Sequence, residues 1–151
     1  MIRVVVGPDP IDLAAEMARV EASGAGGIAT FTGIVRADDG VEELDLEHYP
    51  GVTERALVTL GQEATRRWSL LGVSVVHRVG PMRPGERIVF VAAAAAHRAA
   101  ALEACAFLID RLKTDAPFWK RERRGAEARW VEQREGDLGA ASRWDGGAEA
   151  E

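Results

Sequence analysis

The two lysines of this chain are the residues whose type and spacing most directly suggest chemistry. Of the 19 Lys and Arg residues, only Lys113 and Lys120 are lysine. An arginine supplies positive charge but keeps its proton in proteins, whereas a lysine amine can act as a base or a nucleophile. The pair therefore suggests a task that needs an amine. Two leftover lysines on a solvated surface are the alternative interpretation.

The segment that contains these lysines is cationic, although the chain as a whole is acidic. The formal net charge is −5, yet residues 97–134 contain nine basic and six acidic side chains. An acidic chain is a poor nucleic-acid binder, because the phosphate backbone requires an excess of Lys and Arg. The local cationic island instead favours a discrete anionic ligand.

Three further cations are candidate anion ligands. His97 and Arg98 lie at the start of a predicted helix, where free backbone N–H groups and the positive end of the dipole bind phosphate and arginine adds a bidentate fork. An exposed capping pair without a ligand is an equal alternative. Arg36 closes a predicted strand next to Asp38, and a salt bridge within that turn is its alternative role.

The two lysines fall on consecutive predicted elements. Lys113 lies in the last turn of the long helix predicted over residues 95–115, where it also complements the negative end of the dipole. Lys120 lies on the strand predicted over residues 118–123, and alternation places it on one face with Glu122. Lys120 and Glu122 can therefore share a pocket, and a surface ion pair is the simpler alternative.

The rest of the pattern predicts an α+β fold. The predicted strands cover residues 2–6, 28–35, 41–48, 73–79, 87–94, 118–123 and 128–131. The predicted helices cover residues 13–22, 53–68 (capped by Thr53) and 95–115. The short turn at 38–40 is expected to join strands 28–35 and 41–48 as a hairpin. Such tight connections favour an antiparallel or mixed sheet with packed helices.

The length of 151 residues suits a single domain. We expect this domain to cover residues 1–134. Residues 135–151 are rich in Gly, Ala and acidic side chains, and they offer little to bury except Trp144. This composition predicts a mobile C-terminal tail.

Composition also excludes several classes of protein. Cys105 is the only cysteine, so no internal disulfide or cysteine zinc site is possible, and its apolar helical surroundings predict a buried, inert thiol. The three histidines lack metal-ligand spacing and no phosphate-loop fingerprint occurs, so neither a metal ion nor a cofactor is expected. The longest apolar run has nine residues and no signal-peptide pattern is present, so we expect a soluble, cytoplasmic protein.

Four segments, in order, resemble the large, catalytic subunit of molybdopterin synthase, the MoaE family. They are TFTGIVR (30–36), LEHYPG (46–51), AHR (96–98) and LKTDAPFWKRE (112–122). The resemblance extends from about residue 27 to residue 135, and the last segment is the most specific. It implies an α/β-hammerhead-type fold that forms a homodimer, with one small subunit docked at each outer end to give a heterotetramer.

The resemblance also implies a reaction. Sulfur arrives as a thiocarboxylate on the C-terminal glycine of a small ubiquitin-like carrier subunit. Two transfers convert cyclic pyranopterin monophosphate to molybdopterin, whose dithiolene belongs to the molybdenum cofactor. An enzyme supplied in this way needs no reactive cysteine of its own, which agrees with the inert thiol predicted for Cys105.

By resemblance, Lys113 and Lys120 are the catalytic residues, in a pocket that admits the glycine tail and the pterin. As an ammonium, Lys113 could hold the thiocarboxylate and stabilise a tetrahedral intermediate; as a neutral amine, it could be a base or nucleophile. The sequence leaves both roles open. The implied substrate-binding residues are these lysines with Ile34, Val35, Arg36, His97, Arg98, Arg121 and Glu122. His97 and Arg98 are expected to reach in from a second copy of the chain.

A function of another class fits the same residues. A non-catalytic adaptor could bind a ubiquitin-like tail through the basic groove. It would form a tight complex without any pterin chemistry, whereas the enzyme would consume the sulfur of its partner.

Overall fold

Strands and helices alternate along the chain in nearly the predicted order. The computed structural model describes residues 1–125, 127–131 and 144. Its strands are β1 (Ile2–Gly7), β2 (Gly27–Ile34), β3 (Glu43–His48), β4 (Gly72–Arg78), β5 (Gly80–Met82), β6 (Arg87–Ala95), β7 (Phe118–Arg124) and β8 (Glu127–Val131). Its helices are α1 (Leu13–Glu21), α2 (Val52–Trp68) and α3 (Arg98–Asp115). The predicted α+β class is confirmed.

The central sheet has the strand order β1-β4-β6-β2 and is covered by helices on both faces. It is mixed, because β1 and β4 are parallel while the other pairs are antiparallel. Along β6, Val91 packs toward α2 and α3, and Phe90 packs toward α1. Burial on both faces explains why this strand is a continuous apolar run and does not alternate.

The small sheet has the order β5-β3-β7-β8 and is antiparallel. The hairpin predicted between residues 28–35 and 41–48 is wrong, because β2 pairs with β6 while β3 pairs with β5 and β7. A 3₁₀ turn at Asp38–Gly40 separates β2 from β3, which joins the small sheet. Alternation identifies the buried face of a strand but not its partner. Strand β5 (Gly80–Met82) lies between the strands predicted over residues 73–79 and 87–94 and was not predicted.

Two predicted helix starts also differ from the structure. Gly51, with φ of 83°, caps α2, and its N–H donates to Glu54 at 3.0 Å. Thr53 is not the cap, because its hydroxyl donates to the carbonyl of Tyr49 at 2.9 Å. The long helix begins at Arg98 and not at residue 95, because Ala95 is still paired with β2.

Within the predicted tail, the structure describes Trp144. Its ring packs edge-on against Trp68 and Phe107, and its indole N–H donates to Asp110 at 2.8 Å. Residues 135–143 and 145–151, which make up the rest of that prediction, lie outside the described residues.

No helix within the described residues is both long enough and apolar enough to span a bilayer.

Candidate functional site

The site is built where α3 ends, at the end of the central sheet at which β6 begins. Phe118 follows α3 closely, and its ring stacks on that of His77 with centroids 4.1 Å apart and planes 22° apart. His77 is paired with Val89, near the start of β6. The C-terminal turn of α3, with Lys113, therefore lies at this end of the sheet.

His77 is a buried, neutral imidazole at the base of the site. Its side chain is in the central strand β4 and the residue is only 8% exposed. Its Nδ1 lies 2.8 Å from the carbonyl oxygen of Arg78, so this nitrogen carries the proton and donates, because a carbonyl only accepts. Burial lowers the pKa of His77 to about 4, against the opposing effect of that hydrogen bond.

Both lysines contribute to the low pKa of His77. The positive charges of Lys113 and Lys120 each lower the pKa further, as does His48. Two charges on different elements act on one buried ring only when both lie near it. The structure therefore brings Lys113 of α3 and Lys120 of β7 near enough to His77 for both charges to act on its ring.

Lys120 reaches this place from the inner face of the small sheet. It lies opposite Leu46 in the β3–β7 register. Leu46 is 2% exposed, whereas Lys120 is exposed. The inner face of the sheet is thus packed at β3 and opens toward solvent at β7, where a ligand can enter.

Glu122 and Arg121 lie on opposite faces of β7. Glu122 shares the face of Lys120, and its carboxylate pairs with Arg124 at 2.9 Å. Arg121 points to the other face, where its guanidinium is 3.0 Å from the carboxylate of Asp45. The structure therefore places Glu122 beside Lys120 and directs Arg121 away from it.

The end of β2 lies at the same end of the central sheet, because Ile34 pairs with Arg87 at the start of β6. Ile34 is 47% exposed beside a β-bulge, whereas Val35 is buried. The N–H of Val35 donates to Glu86, and its carbonyl accepts from Gly85. Both backbone groups of Val35 thus already have partners.

Arg36 is an exposed cation beyond the end of β2. Its Nε lies 3.1 Å from a carboxylate oxygen of Asp38, and both side chains are more than 60% exposed. This is the turn salt bridge that the sequence offered as an alternative. An exposed pair of this kind is weak, so an anionic ligand can compete for the guanidinium.

His97 and Arg98 lie at the opposite end of the central sheet. His97 caps α3, and both residues are exposed. Fifteen residues of helix separate Arg98 from Lys113, which is about 22 Å at 1.5 Å per residue. A single copy of the chain therefore does not bring these two residues to the lysines.

Cys105 is the sole cysteine, and it is 5% exposed in the core between α3 and the central sheet. Burial raises the pKa of its thiol to about 11, so the thiol stays protonated at neutral pH. The predicted inert thiol is confirmed.

Sequence reasoning missed His77 and Phe118 as parts of this site. His77 lies in a strand of buried residues and has the pattern of a core position. Phe118 is separated from it by 41 residues, and they belong to different sheets. No local signal could pair them; the only available hint was that Phe118 shares a face with Lys120.

Comparisons with known proteins place these features in a family. The model of the family described as "MoaE protein" matches residues 6–115 of this chain. A molybdopterin synthase catalytic subunit from Escherichia coli K12 is 49% identical over 146 residues, covering 94% of this chain and 97% of that protein. One from Yersinia pestis is 54% identical over 122 residues, covering 79% of this chain and 81% of that protein.

Solved structures agree with the sequence comparisons. Molybdopterin cofactor biosynthesis protein E from Burkholderia multivorans has a TM-score of 0.83 and 47% identity, covering 95% of this chain and 97% of that chain. Molybdopterin synthase from Staphylococcus aureus has a TM-score of 0.78 and 30% identity, covering 86% of this chain and 96% of that chain. The chain belongs to the MoaE family, the catalytic subunits of molybdopterin synthase.

Proposed function

We propose that this chain transfers sulfur from the C-terminal thiocarboxylate of a small ubiquitin-like carrier to cyclic pyranopterin monophosphate, and that Lys113 and Lys120 carry the reaction. The observation that carries the proposal is the convergence of both lysine charges on His77. The chain has no other lysine, and its one thiol is buried and protonated. The sulfur therefore has to arrive already activated on a partner.

Lys113 acts on the carrier tail. A thiocarboxylate is an anion whose sulfur attacks a carbon of the pterin and displaces an oxygen. Water then attacks the carbonyl carbon of the resulting thioester, which develops negative charge on oxygen and leaves a thiolate on the pterin and a carboxylate on the carrier. An ammonium placed at the mouth of the site holds the anion and stabilises that developing charge. Lys120, on the adjacent face of the small sheet, holds the second anionic group, the phosphate or the enolate of the pterin.

The substrate-binding set is completed by a second copy of the chain. Arg36 offers a weakly engaged guanidinium beyond the end of β2, and Glu122 lines the wall beside Lys120. Ile34 supplies an exposed apolar contact at the end of β2. His97 and Arg98 of a partner copy supply the remaining cations, because about 22 Å separates Arg98 from Lys113 within one chain.

The two remaining substrate-binding positions keep narrower roles. Val35 shapes the floor of the site through its buried side chain. Arg121, directed away from Lys120, contacts the carrier from the outer face of the small sheet.

A small protein partner is part of the proposal. One chain in the structure of a complex of subunits 1 and 2 of molybdopterin-converting factor from Helicobacter pylori has the fold of this chain, with a TM-score of 0.69 and 22% identity. We propose that a carrier with a C-terminal Gly-Gly docks so that its tail enters between β7 and the end of α3. The proposed assembly is a homodimer of this chain with two carriers, located in the cytoplasm.

The test is a single-turnover reaction with thiocarboxylated carrier and pterin substrate, followed by the mass of the carrier. We expect the carrier to lose its sulfur as molybdopterin forms. Lys113→Ala should slow this step by about 10²-fold or more, because it removes charge stabilisation in the transition state. Its affinity for the carrier should stay within about threefold, since most of the docking area lies elsewhere.

Lys113→Arg separates the two roles of the lysine. An arginine retains the charge but cannot lose its proton. If Lys113 stabilises charge, Lys113→Arg keeps part of the activity. If Lys113 acts as an amine nucleophile, Lys113→Arg is as inactive as Lys113→Ala. In that second case the wild-type enzyme also forms an acyl adduct with the carrier, which mass spectrometry detects. Tight carrier binding by the wild-type enzyme without loss of sulfur would establish the adaptor function instead.

A further inference from the structure

We propose that His77 is a positioning residue of the sulfur-transfer site: its ring, stacked on Phe118, holds the connection between Lys113 and Lys120 in one arrangement. The inference rests on the proposed function of the two lysines. It adds a residue of the central sheet that touches neither substrate nor carrier and acts through Phe118.

The connection between the lysines is short and turns sharply. Helix α3 ends at Asp115, and the N–H of Ala116 donates to Leu112 at 3.4 Å. The N–H of Phe118 then donates to the carbonyl of Ala116 at 2.9 Å as the chain enters β7. Phe118 is thus the first residue of the strand that carries Lys120, and its position determines where that strand starts relative to the helix.

Two histidine rings lie near the ring of Phe118. The ring of His77 lies nearly parallel to it, with centroids 4.1 Å apart, and the ring of His48 lies 6.3 Å away at 41°. His77 is in β4, which is hydrogen-bonded to β1 on one side and to β6 on the other. A residue in the interior of the sheet cannot shift without breaking strand pairs, so it is a fixed support for Phe118.

The ring of His77 is oriented and uncharged. Its Nδ1–H donates to the carbonyl of Arg78 at 2.8 Å, which fixes the plane of the ring. The titratable groups that act on it are Lys113 from α3, Lys120 from β7 and His48 from β3. Together with burial they hold its pKa near 4, so it adds no third positive charge beside the lysines at neutral pH.

His77 therefore provides a flat, uncharged ring surface against which Phe118 stacks. Phenylalanine offers a similar surface without nitrogen atoms and can stack on another aromatic ring. Alanine offers no surface and leaves a cavity next to Phe118. The pair His77→Phe and His77→Ala thus separates positioning by stacking from any role of the imidazole nitrogens.

The chain allows a direct measurement of the geometry, because Lys113 and Lys120 are its only lysines. A short aryl dihalide that reacts with two amines can link them within one chain, and mass spectrometry identifies the linked peptide. The rate of this cross-link reports how the two amines are placed, and it does so without substrate or carrier.

We expect wild-type protein and His77→Phe to cross-link at rates within about threefold of each other and to have similar kcat, since both retain the stacked ring. His77→Ala should cross-link more slowly and should lose about tenfold or more in kcat, because misplaced groups lose their alignment with the substrate. The KM for thiocarboxylated carrier should change little.

Val20→Ala is the matched control for lost stability, because Val20 is buried on the other face of the central sheet. This variant should leave kcat and cross-linking unchanged.

The inference is overturned if His77→Ala behaves as wild type in cross-linking and kcat, or if His77→Phe is as defective as His77→Ala. Absence of any Lys113–Lys120 link in the wild-type protein also overturns it. A wild-type enzyme that fails to release sulfur refutes the proposed function instead, and the cross-linking rates still decide whether His77 positions the lysines.

Discussion

At the scale of single residues, the chemistry of this protein depends on which side chains keep their protons. The thiol of Cys105 stays protonated because it is buried, so the protein offers no thiolate of its own. His77 stays unprotonated because it is buried beside two lysines. Lys113 and Lys120, both exposed, are the proposed reactive groups of the site.

The neutral state of His77 predicts a pH dependence of stability. The pKa is about 4 in the folded protein, compared with about 6.5 for an unperturbed histidine. Between these values the unfolded chain binds the proton and the folded chain does not, so stability rises with pH. Lowering the pH from 6.5 to 4 should therefore cost roughly 3 kcal/mol of unfolding free energy through this residue.

Urea unfolding of wild-type protein and His77→Phe across this pH range checks the prediction. The variant has no imidazole at this position, so the difference in unfolding free energy between the two proteins should change with pH between 4 and 6.5. Parallel curves would show that His77 is not held neutral by the fold. Other titrating groups are common to both proteins and cancel in the difference.

At the scale of elements, the start of α3 is placed by close backbone contact with β2. A Cβ atom on Gly26 would lie 2.2 Å from the carbonyl oxygen of Ala96, and one on Gly27 would lie 3.3 Å from the Cα of Arg98. Only glycine allows the two segments to approach so closely. This contact determines where His97 and Arg98 stand at the end of the sheet.

Gly26→Ala should therefore disturb both stability and the anion-binding end of α3. The added methyl meets backbone, which cannot rotate away, so we expect a loss of about 1–3 kcal/mol in unfolding free energy and a higher KM for the pterin phosphate. Gly7→Ala is the matched control, because no atom lies within 4 Å of its Cβ position. Thermal unfolding and steady-state kinetics of both variants measure the effect, and equal behaviour of the two would contradict it.

At the scale of the whole molecule, the proposed site residues of one chain lie at opposite ends of its central sheet. Lys113, Lys120 and the end of β2 lie at one end, and His97 with Arg98 lies at the other. A dimer that joins the first end of one copy to the second end of its partner completes two equal sites. Each active site then depends on both copies.

Shared sites predict complementation between two inactive variants. In a dimer of one Lys113→Ala chain and one Arg98→Ala chain, one site contains both substitutions and the other contains neither. Such mixed dimers, isolated with two affinity tags, should recover about half of the wild-type kcat per dimer, because a twofold assembly has two equivalent sites. Doubly tagged Lys113→Ala dimers are the control, and mixed dimers no more active than these would contradict the arrangement.

Much of the fold and part of the site could be read from the sequence because they depend on local order. Alternation and apolar spacing predicted the helices and every described strand except β5 to within a few residues, and the rarity of lysine singled out Lys113 and Lys120. The choice of partners could not be read in this way. Strand β3 has an alternating pattern that suits either sheet, so the predicted hairpin with β2 was wrong.

The sequence by itself determined the family resemblance, the two candidate lysines and the single thiol, because these are properties of residue types and of their spacing along the chain. Only the tertiary structure decided that His77 lies against Phe118, that the charges of both lysines act on His77, and that Arg98 lies about 22 Å from Lys113. The physical reason is that these relations join residues far apart in sequence. They depend on strand order and helix packing, which the whole core sets together.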